Sequence, residues 1–410
     1  MKIINLSLKN IGPFLETNLD FITDENQKPP VIIITGENGT GKTIVLDAIR
    51  GLLLGYLGNV NRNIVRNEED FYLKSLISYN GINQFVNASN FYNKGLSYEI
   101  KDEKGNGFYY LSSVFNDSKK SENNKWIANY WTSKSDNSNY NLSSLKSIEP
   151  KLYLKDVLNG IQSNVEVLQL ITYFDYLKTS DSPKEKKEGE FLFDTLKKII
   201  KLSLIEGEFK YVERKTLMPI VSQNGFEVSL DKLSSGNLYL IQRIISLLGQ
   251  MYSVYVLNNL KLEEMLLSPG LLLIDEAENH LHPKWQKTFL NSILNIFPNL
   301  QIIITTHSPF IVSSVENAKV FVCKSEKDHS VIVDETDLYS NKPIEEILQS
   351  EVFSTNPFNA EISELMNKRK NAIESKDFVT KEEIEEKLKA INPEYFSYFD
   401  IDKLIKSISK

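Results

Sequence analysis

Val31-Ile32-Ile33-Ile34-Thr35-Gly36-Glu37-Asn38-Gly39-Thr40-Gly41-Lys42-Thr43 is the stretch that decides how this sequence folds. Its β-branched apolar run predicts a strand buried on both faces. The run leads into G-x-x-x-x-G-K-T, and Ile44-Val45-Leu46-Asp47-Ala48-Ile49 then carries apolar residues at helical spacing. Strand, glycine-rich loop and helix in that order form the context in which such a loop cradles phosphates. Glycines let the backbone turn its N–H groups inward, and the helix N-terminus adds partial positive charge. The candidate binding residues are Gly36, Glu37, Asn38, Gly39, Thr40, Gly41, Lys42 and Thr43. Lys42 is expected to bridge the β- and γ-phosphates of ATP, and the Thr43 hydroxyl to ligate Mg2+.

Three further stretches extend this reading. Gly270-Leu271-Leu272-Leu273-Ile274-Asp275-Glu276 is an apolar strand ending in two acids. Asp275 is expected to join Thr43 at the Mg2+, and Glu276 to orient and polarise the attacking water, because phosphoryl transfer is largely positioning and electrostatics. Ile302-Ile303-Ile304-Thr305-Thr306-His307 is a second buried strand, ending in a histidine. Leu233-Ser234-Ser235-Gly236-Asn237 precedes a long apolar helix and would, in isolation, read as a Ser/Gly helix cap.

Taken in order, these elements resemble the phosphate loop, signature, acidic strand and switch histidine of ABC-type ATPases. The resemblance implies that Ser234, Ser235 and Gly236 also bind nucleotide and that His307 is catalytic together with Glu276 and Lys42. Asn237 stands where that family carries Glu or Gln. It further implies that the signature of one protomer closes over nucleotide held by another, and so a head-to-head homodimer or a higher homo-oligomer. Asp275-Glu276-Ala277-Glu278-Asn279-His280-Leu281-His282-Pro283-Lys284-Trp285-Gln286 and Thr305-Thr306-His307-Ser308-Pro309-Phe310-Ile311 resemble a RecF/SMC-like branch, and within it the AAA subgroup of prokaryotic antiphage systems. The opening Leu6-Ser7-Leu8-Lys9-Asn10-Ile11-Gly12-Pro13-Phe14 resembles the start of that family, and Ile344 to Leu365 resembles the tail of Septu-type ATPases that pair with a separate HNH nuclease. The function so implied is an ATPase subunit whose nucleotide state controls a separately encoded effector, a nuclease or toxin. The alternative is a RecF/SMC-like ATPase that clamps DNA in repair.

The fold class expected is α/β: an ABC-type head built on a mixed sheet, with an antiparallel β lobe, a helical insertion and a C-terminal helical region. The head is assigned to 1–335, with an N-terminal lobe over 1–180 and a signature lobe over 191–335. A C-terminal helical interaction region is assigned to 336–410. Within the first lobe, Ser, Asn, Lys and Asp dominate Asn116 to Ser147, which reads as a flexible surface insertion despite Trp126, Tyr130 and Trp131. Val165 to Tyr173 reads as a buried strand, and Ser180 to Glu190 as a charged connector before a helix near Phe191. Glu278, His280 and His282 invite a metal reading, although Pro283 opening a helix accounts for the same stretch. Asp334-Glu335-Thr336-Asp337 is the one candidate acidic cluster for a nuclease centre after His307, and charged helices follow it, so a built-in nuclease is not expected.

Composition bounds the rest. The 410 residues are 41% hydrophobic and 25% charged, with one cysteine and a net charge of -7. Such a chain supports a large core but no disulfide framework, and suits the reducing cytoplasm. The acidic total disfavours a uniformly basic nucleic-acid surface and leaves a local basic groove open. The apolar runs are shorter than a bilayer requires, so no membrane partner is expected.

Overall fold

The computed structural model describes residues 1–22, 31–54, 70–79, 81–89, 97–102, 125–132, 140–155, 157–160, 163–204, 207–353 and 358–399. The chain divides into two compact units, Met1–Ile347 and Leu348–Lys410. The first boundary thus falls later than 335, because the segment after the last strand is tied back to the sheet. Val320 N donates to Thr336 Oγ1 and Glu335 N to the Val320 carbonyl.

β1 (Lys2–Ile11) and β2 (Phe14–Asp20) form the expected antiparallel pair, turning at Gly12-Pro13. β3 (Val31–Gly36) is buried throughout and runs into α1 (Lys42–Leu54). β4 (Tyr72–Tyr79), β5 (Ile82–Ser89) and β6 (Ser97–Asp102) continue antiparallel outward from β1, as the expected β lobe. Its last anticipated stretch, 108–111, lies outside the described residues. β7 (Ile127–Trp131), α2 (Asn164–Leu177) and α3 (Pro183–Ser203) follow. β8 (Gly207–Glu213), β9 (Met218–Gln223) and β10 (Phe226–Ser229) make a small antiparallel sheet of their own. α4 (Ser235–Asn258), β11 (Gly270–Ile274), α5 (Pro283–Gln286), α6 (Phe289–Ile296), β12 (Leu300–Thr305) and α7 (Pro309–Val312) lead to the hairpin of β13 (Lys319–Ser325) and β14 (Ser330–Asp334).

Among the described residues the main sheet has eleven strands in the order β6-β5-β4-β1-β2-β14-β13-β3-β12-β11-β7. From β13 to β7 every neighbouring pair is parallel. Those strands are covered on both faces, which is why β3, β11 and β12 read as mainly apolar runs, whereas β2 alternates buried and exposed positions. Buried Gln301, in the otherwise apolar β12, exchanges hydrogen bonds of 2.7 and 2.8 Å with the backbone N–H and carbonyl of Ile3. It satisfies the backbone where the β1–β4 register shifts between Ile3 and Asn5.

The structure corrects several expectations. Ile127–Trp131, placed by sequence inside the flexible insertion 116–147, is a wholly buried strand paired with β11 from Gly270↔Ile127 to Ile274↔Trp131. The polar residues flanking it hid a five-residue strand that is apolar except for Asn129, and half of that insertion lies outside the described residues. Val165 to Tyr173 belongs to α2 and not to a strand, because its buried positions, Val167, Leu168, Leu170, Ile171 and Phe174, recur at helical spacing. The charged Ser180 to Glu190 stretch is mostly the first half of α3, with Pro183 in the first turn where proline costs no hydrogen bond. The helix expected from Pro283 to Ile296 is broken after Gln286. α4 is, among the described residues, the one helix long and apolar enough to cross a membrane, but 83% of its apolar window is buried inside the head. In the first unit α8 (Thr336–Tyr339) and α9 (Ile344–Leu348) follow β14. The second unit is a helical hairpin of α10 (Ala360–Glu374) and α11 (Phe378–Ile391) closed by an aromatic cluster around Phe396 and Phe399.

Candidate nucleotide site

The parallel register brings the sequence motifs to one edge. Ile34 is level with Thr305, and Ile274 with Ile304, so the loop after β3, the acids after β11 and the histidine after β12 leave the sheet side by side. Gly36 (φ 137°), Gly39 (φ 82°) and Gly41 (φ 99°) all lie in the region that L-residues rarely enter. A Cβ on Gly36 would sit 2.1 Å from the Cys323 carbonyl oxygen of β13, and one on Gly41 would sit 2.6 Å from the Pro13 ring. The opening Gly12-Pro13-Phe14 turn therefore packs directly under the loop, a role its sequence did not disclose.

Lys42 is buried, and its ammonium donates to the carbonyls of Gly36 (3.0 Å) and Glu37 (2.7 Å). Burial pulls its pKa below the usual lysine value, opposed by Cys323, Glu278, Asp275 and Glu276. The Thr43 hydroxyl donates to Asp275 Oδ1 at 2.9 Å, and the same oxygen receives the Thr305 hydroxyl at 2.7 Å. Burial raises the Asp275 carboxyl above its ordinary range, against the lowering effect of those two hydroxyls. A buried carboxylate with hydroxyl donors on one oxygen and a neighbouring threonine matches the hard oxygen donors that Mg2+ takes beside a phosphate.

Glu276 has a left-handed backbone (φ 51°). Its N–H donates to Thr305 Oγ1 at 2.8 Å, and its Oε2 accepts from Asn279 Nδ2 at 2.6 Å. Glu278 holds the end of β12 by accepting from Thr306 Oγ1 (2.7 Å) and from the His307 N–H (2.8 Å). Burial, together with the nearby Lys42, depresses the His307 pKa below 6.5. Thr305 and Asn279 stand in the sequence motifs without a role, and Glu278 only with a metal reading; each fixes a neighbour named there. The metal reading of Glu278, His280 and His282 finds no support. Glu278 is committed to β12, His282 Nδ1 caps α5, and no group of three metal-ligating side chains occurs among the described residues.

Ser234, Ser235, Gly236 and Asn237 stand apart from this cluster. Ser234 N-caps the 24-residue α4 by accepting from the Asn237 N–H at 3.4 Å. A Cβ on Gly236 would fall 2.2 Å from the His280 carbonyl oxygen, so the signature turn leans on the segment after Glu276. The pocket it lines contains Asn224, His282 and Trp285 and none of the phosphate-loop residues.

A glycine loop with an inward lysine, an acidic strand end and a strand-end histidine on adjacent parallel strands, with a capped signature helix elsewhere, define an ABC-type nucleotide-binding head. The sequence matches the family described as "AAA domain, putative AbiEii toxin, Type IV TA system" over residues 31–313, and the chain belongs to that family. It is 39% identical over 100 residues to the Retron Vc95 probable ATPase of Vibrio cholerae serotype O1 biovar El Tor, covering 24% of this chain and 19% of that protein. It is 29% identical over 187 residues to the Septu protein PtuA of Bacillus thuringiensis, covering 44% of this chain and 45% of that protein. A Septu protein PtuA of Bacillus mycoides (strain KBAB4) is 22% identical over 371 residues, covering 88% of this chain and 46% of that one. The chain thus spans less than half the length of these curated relatives. The SMC head domain from Thermotoga maritima superposes with a TM-score of 0.44 and 14% identity, covering 82% of this chain and 99% of that one.

Proposed function

We propose that this chain is the ATP-binding and ATP-hydrolysing subunit of a cytoplasmic antiphage defence complex, and that its nucleotide state controls a separately encoded effector, a nuclease of the HNH type. The observation that carries the reading is the hydrogen-bonded set Thr43–Asp275–Thr305 beneath a loop of three left-handed glycines. Likeness to Septu and retron ATPases supports the defence setting.

In this reading the loop amides and Lys42 hold the β- and γ-phosphates, the lysine exchanging its two backbone carbonyls for phosphate oxygens. Thr43 and Asp275 would hold Mg2+, which when bound would supply positive charge beside the phosphates. Glu276, clamped through Asn279, accepts a hydrogen bond from the attacking water and turns its lone pair toward the γ-phosphorus. His307, set by Glu278, stands where its ring contacts the γ-phosphate. That the signature turn shares no pocket with the loop supports a site completed by Ser234, Ser235 and Gly236 of a second copy. The unit from Leu348 is the candidate surface for the effector.

Purification from the native host tests the biological half: a small nuclease should co-elute, and ATP should change its activity. Vigorous turnover by the chain alone, stimulated by duplex DNA, would instead favour a DNA-clamping repair ATPase.

A further inference from the structure

β7 closes the main sheet beside β11, and among the described residues no further strand pairs with its outer edge. That edge is held instead by the segment 157–160 and by side chains from two helices. Tyr130 N donates to the Val157 carbonyl at 3.1 Å. Arg50, on the helix that opens at the phosphate loop, donates to the Leu158 carbonyl at 2.8 Å, pairs with Asp47 at 2.8 Å and lies 3.9 Å from the centre of the Tyr130 ring. Arg243, 3% exposed on α4, spans two carbonyls with one guanidinium, that of Gly160 at 3.1 Å and that of Thr132 at 3.3 Å. Tyr239, one turn earlier, donates its hydroxyl to the same Thr132 carbonyl at 3.0 Å. Gly160 permits the approach: its φ is 78°, and a Cβ there would fall 2.3 Å from Thr132 Cγ2.

Taking a guanidinium out of water is costly, and a rigid fork that fits two carbonyls at once offsets part of that cost while fixing both carbonyls in place. What it fixes lies next to the chemistry. The carbonyl of Trp131, between Tyr130 and Thr132, accepts the Asp275 N–H at 2.9 Å, so the acid assigned to Mg2+ hangs from the strand end that Arg243 grips. Burial raises the Tyr239 pKa, Arg243 lowers it and Asp275 raises it, which sets the phenol within electrostatic reach of that acid. We infer that Arg243 is a positioning residue for the metal-holding acid: by gripping the end of β7 it sets where the Asp275 carboxylate meets Mg2+. The inference rests on the nucleotide reading above and adds to it a residue that lies outside its motifs.

The test is calorimetric and uses full-length Glu276→Gln protein, so that hydrolysis does not blur binding. ATP affinity is measured with Mg2+ and with EDTA, and the ratio of the two reads the metal contact apart from the loop's own hold on phosphate. Arg243→Met is expected to leave the EDTA affinity within about twofold and to cut the ratio about tenfold, the lower end of what losing an outer support of a metal ligand costs. Arg243→Lys, able to reach one carbonyl and not both, should fall between. Gly160→Ala, which forces the segment off β7 without changing a charge, should cut the ratio as Arg243→Met does, and the two milder variants carry the comparison if Arg243→Met does not fold. A residue serving stability alone would lower the thermal midpoint and the folded fraction and leave the ratio at the parental value. That result overturns the positioning role and leaves the nucleotide reading intact. A parent that does not bind ATP, or binds it equally with Mg2+ and with EDTA, sinks the nucleotide reading itself and this inference with it.

Discussion

Asp275 and His307 are the residues whose surroundings make the sharpest demands. Burial raises the Asp275 carboxyl, so the charged form is destabilised by folding near neutral pH and the strain grows as pH rises through its folded value. Removing that charge should relieve it. Asp275→Asn is expected to raise the melting temperature of the nucleotide-free protein by about 1–3 °C, while abolishing the further stabilisation that Mg2+ and ATP give together; thermal shift with and without both measures each effect. His307 has the opposite sign. Its folded pKa lies below the unfolded 6.5, so the stability of the neutral ring is present above about pH 6.5 and is lost as pH falls through the folded value. Thermal midpoints recorded downward from pH 7 should therefore fall less steeply in His307→Gln than in the parent. Lys42→Ala should weaken ATP binding at least a hundredfold, measured by calorimetry, since its ammonium is the buried cation of the loop. At this scale sequence named Lys42, Thr43, Asp275 and Glu276 because motif spacing and strand ends are local. It could not assign the partners that fix them, since Thr305 to Asp275 and Glu278 to His307 are set by strand register.

The elements show where local pattern misleads. β7 is a five-residue strand, apolar but for Asn129, between polar stretches, and only pairing with β11 makes it a core strand. Trp131, fully buried there, has no hydrogen-bond partner for its indole N–H. Trp131→Ala should thus cost about 3–5 kcal/mol, whereas Trp131→Phe should cost under about 1.5 kcal/mol. Urea denaturation of both variants distinguishes a core strand from a surface insertion, in which neither change would matter. α2 was misread as a strand because a nine-residue apolar window fits both periods, and the buried face appears only over its full fourteen residues. The small sheet β8–β10 was missed because its strands are short and mostly polar on their exposed face. β3, β11 and β12 are legible for the converse reason: buried on both faces, they are written as mainly apolar runs.

At the scale of the whole molecule, the first unit carries every residue of the candidate site and the second has its own small core about Leu388, Phe396 and Phe399. Ending the chain after Ile347 should leave ATP affinity within about twofold while abolishing capture of the effector, read by calorimetry and by pull-down. The central claim is that hydrolysis needs the phosphate loop of one copy and the signature of another. Mixing two inactive variants tests it most directly. Lys42→Ala retains an intact signature, and Ser234→Arg, at an exposed cap, retains an intact loop. Each alone should be inactive, and an equimolar mixture should recover about one quarter of the parental ATP turnover, because half the random pairs carry one complete site. A mixture as inactive as its components, or Ser234→Arg turning over ATP alone at the parental rate, would contradict the account.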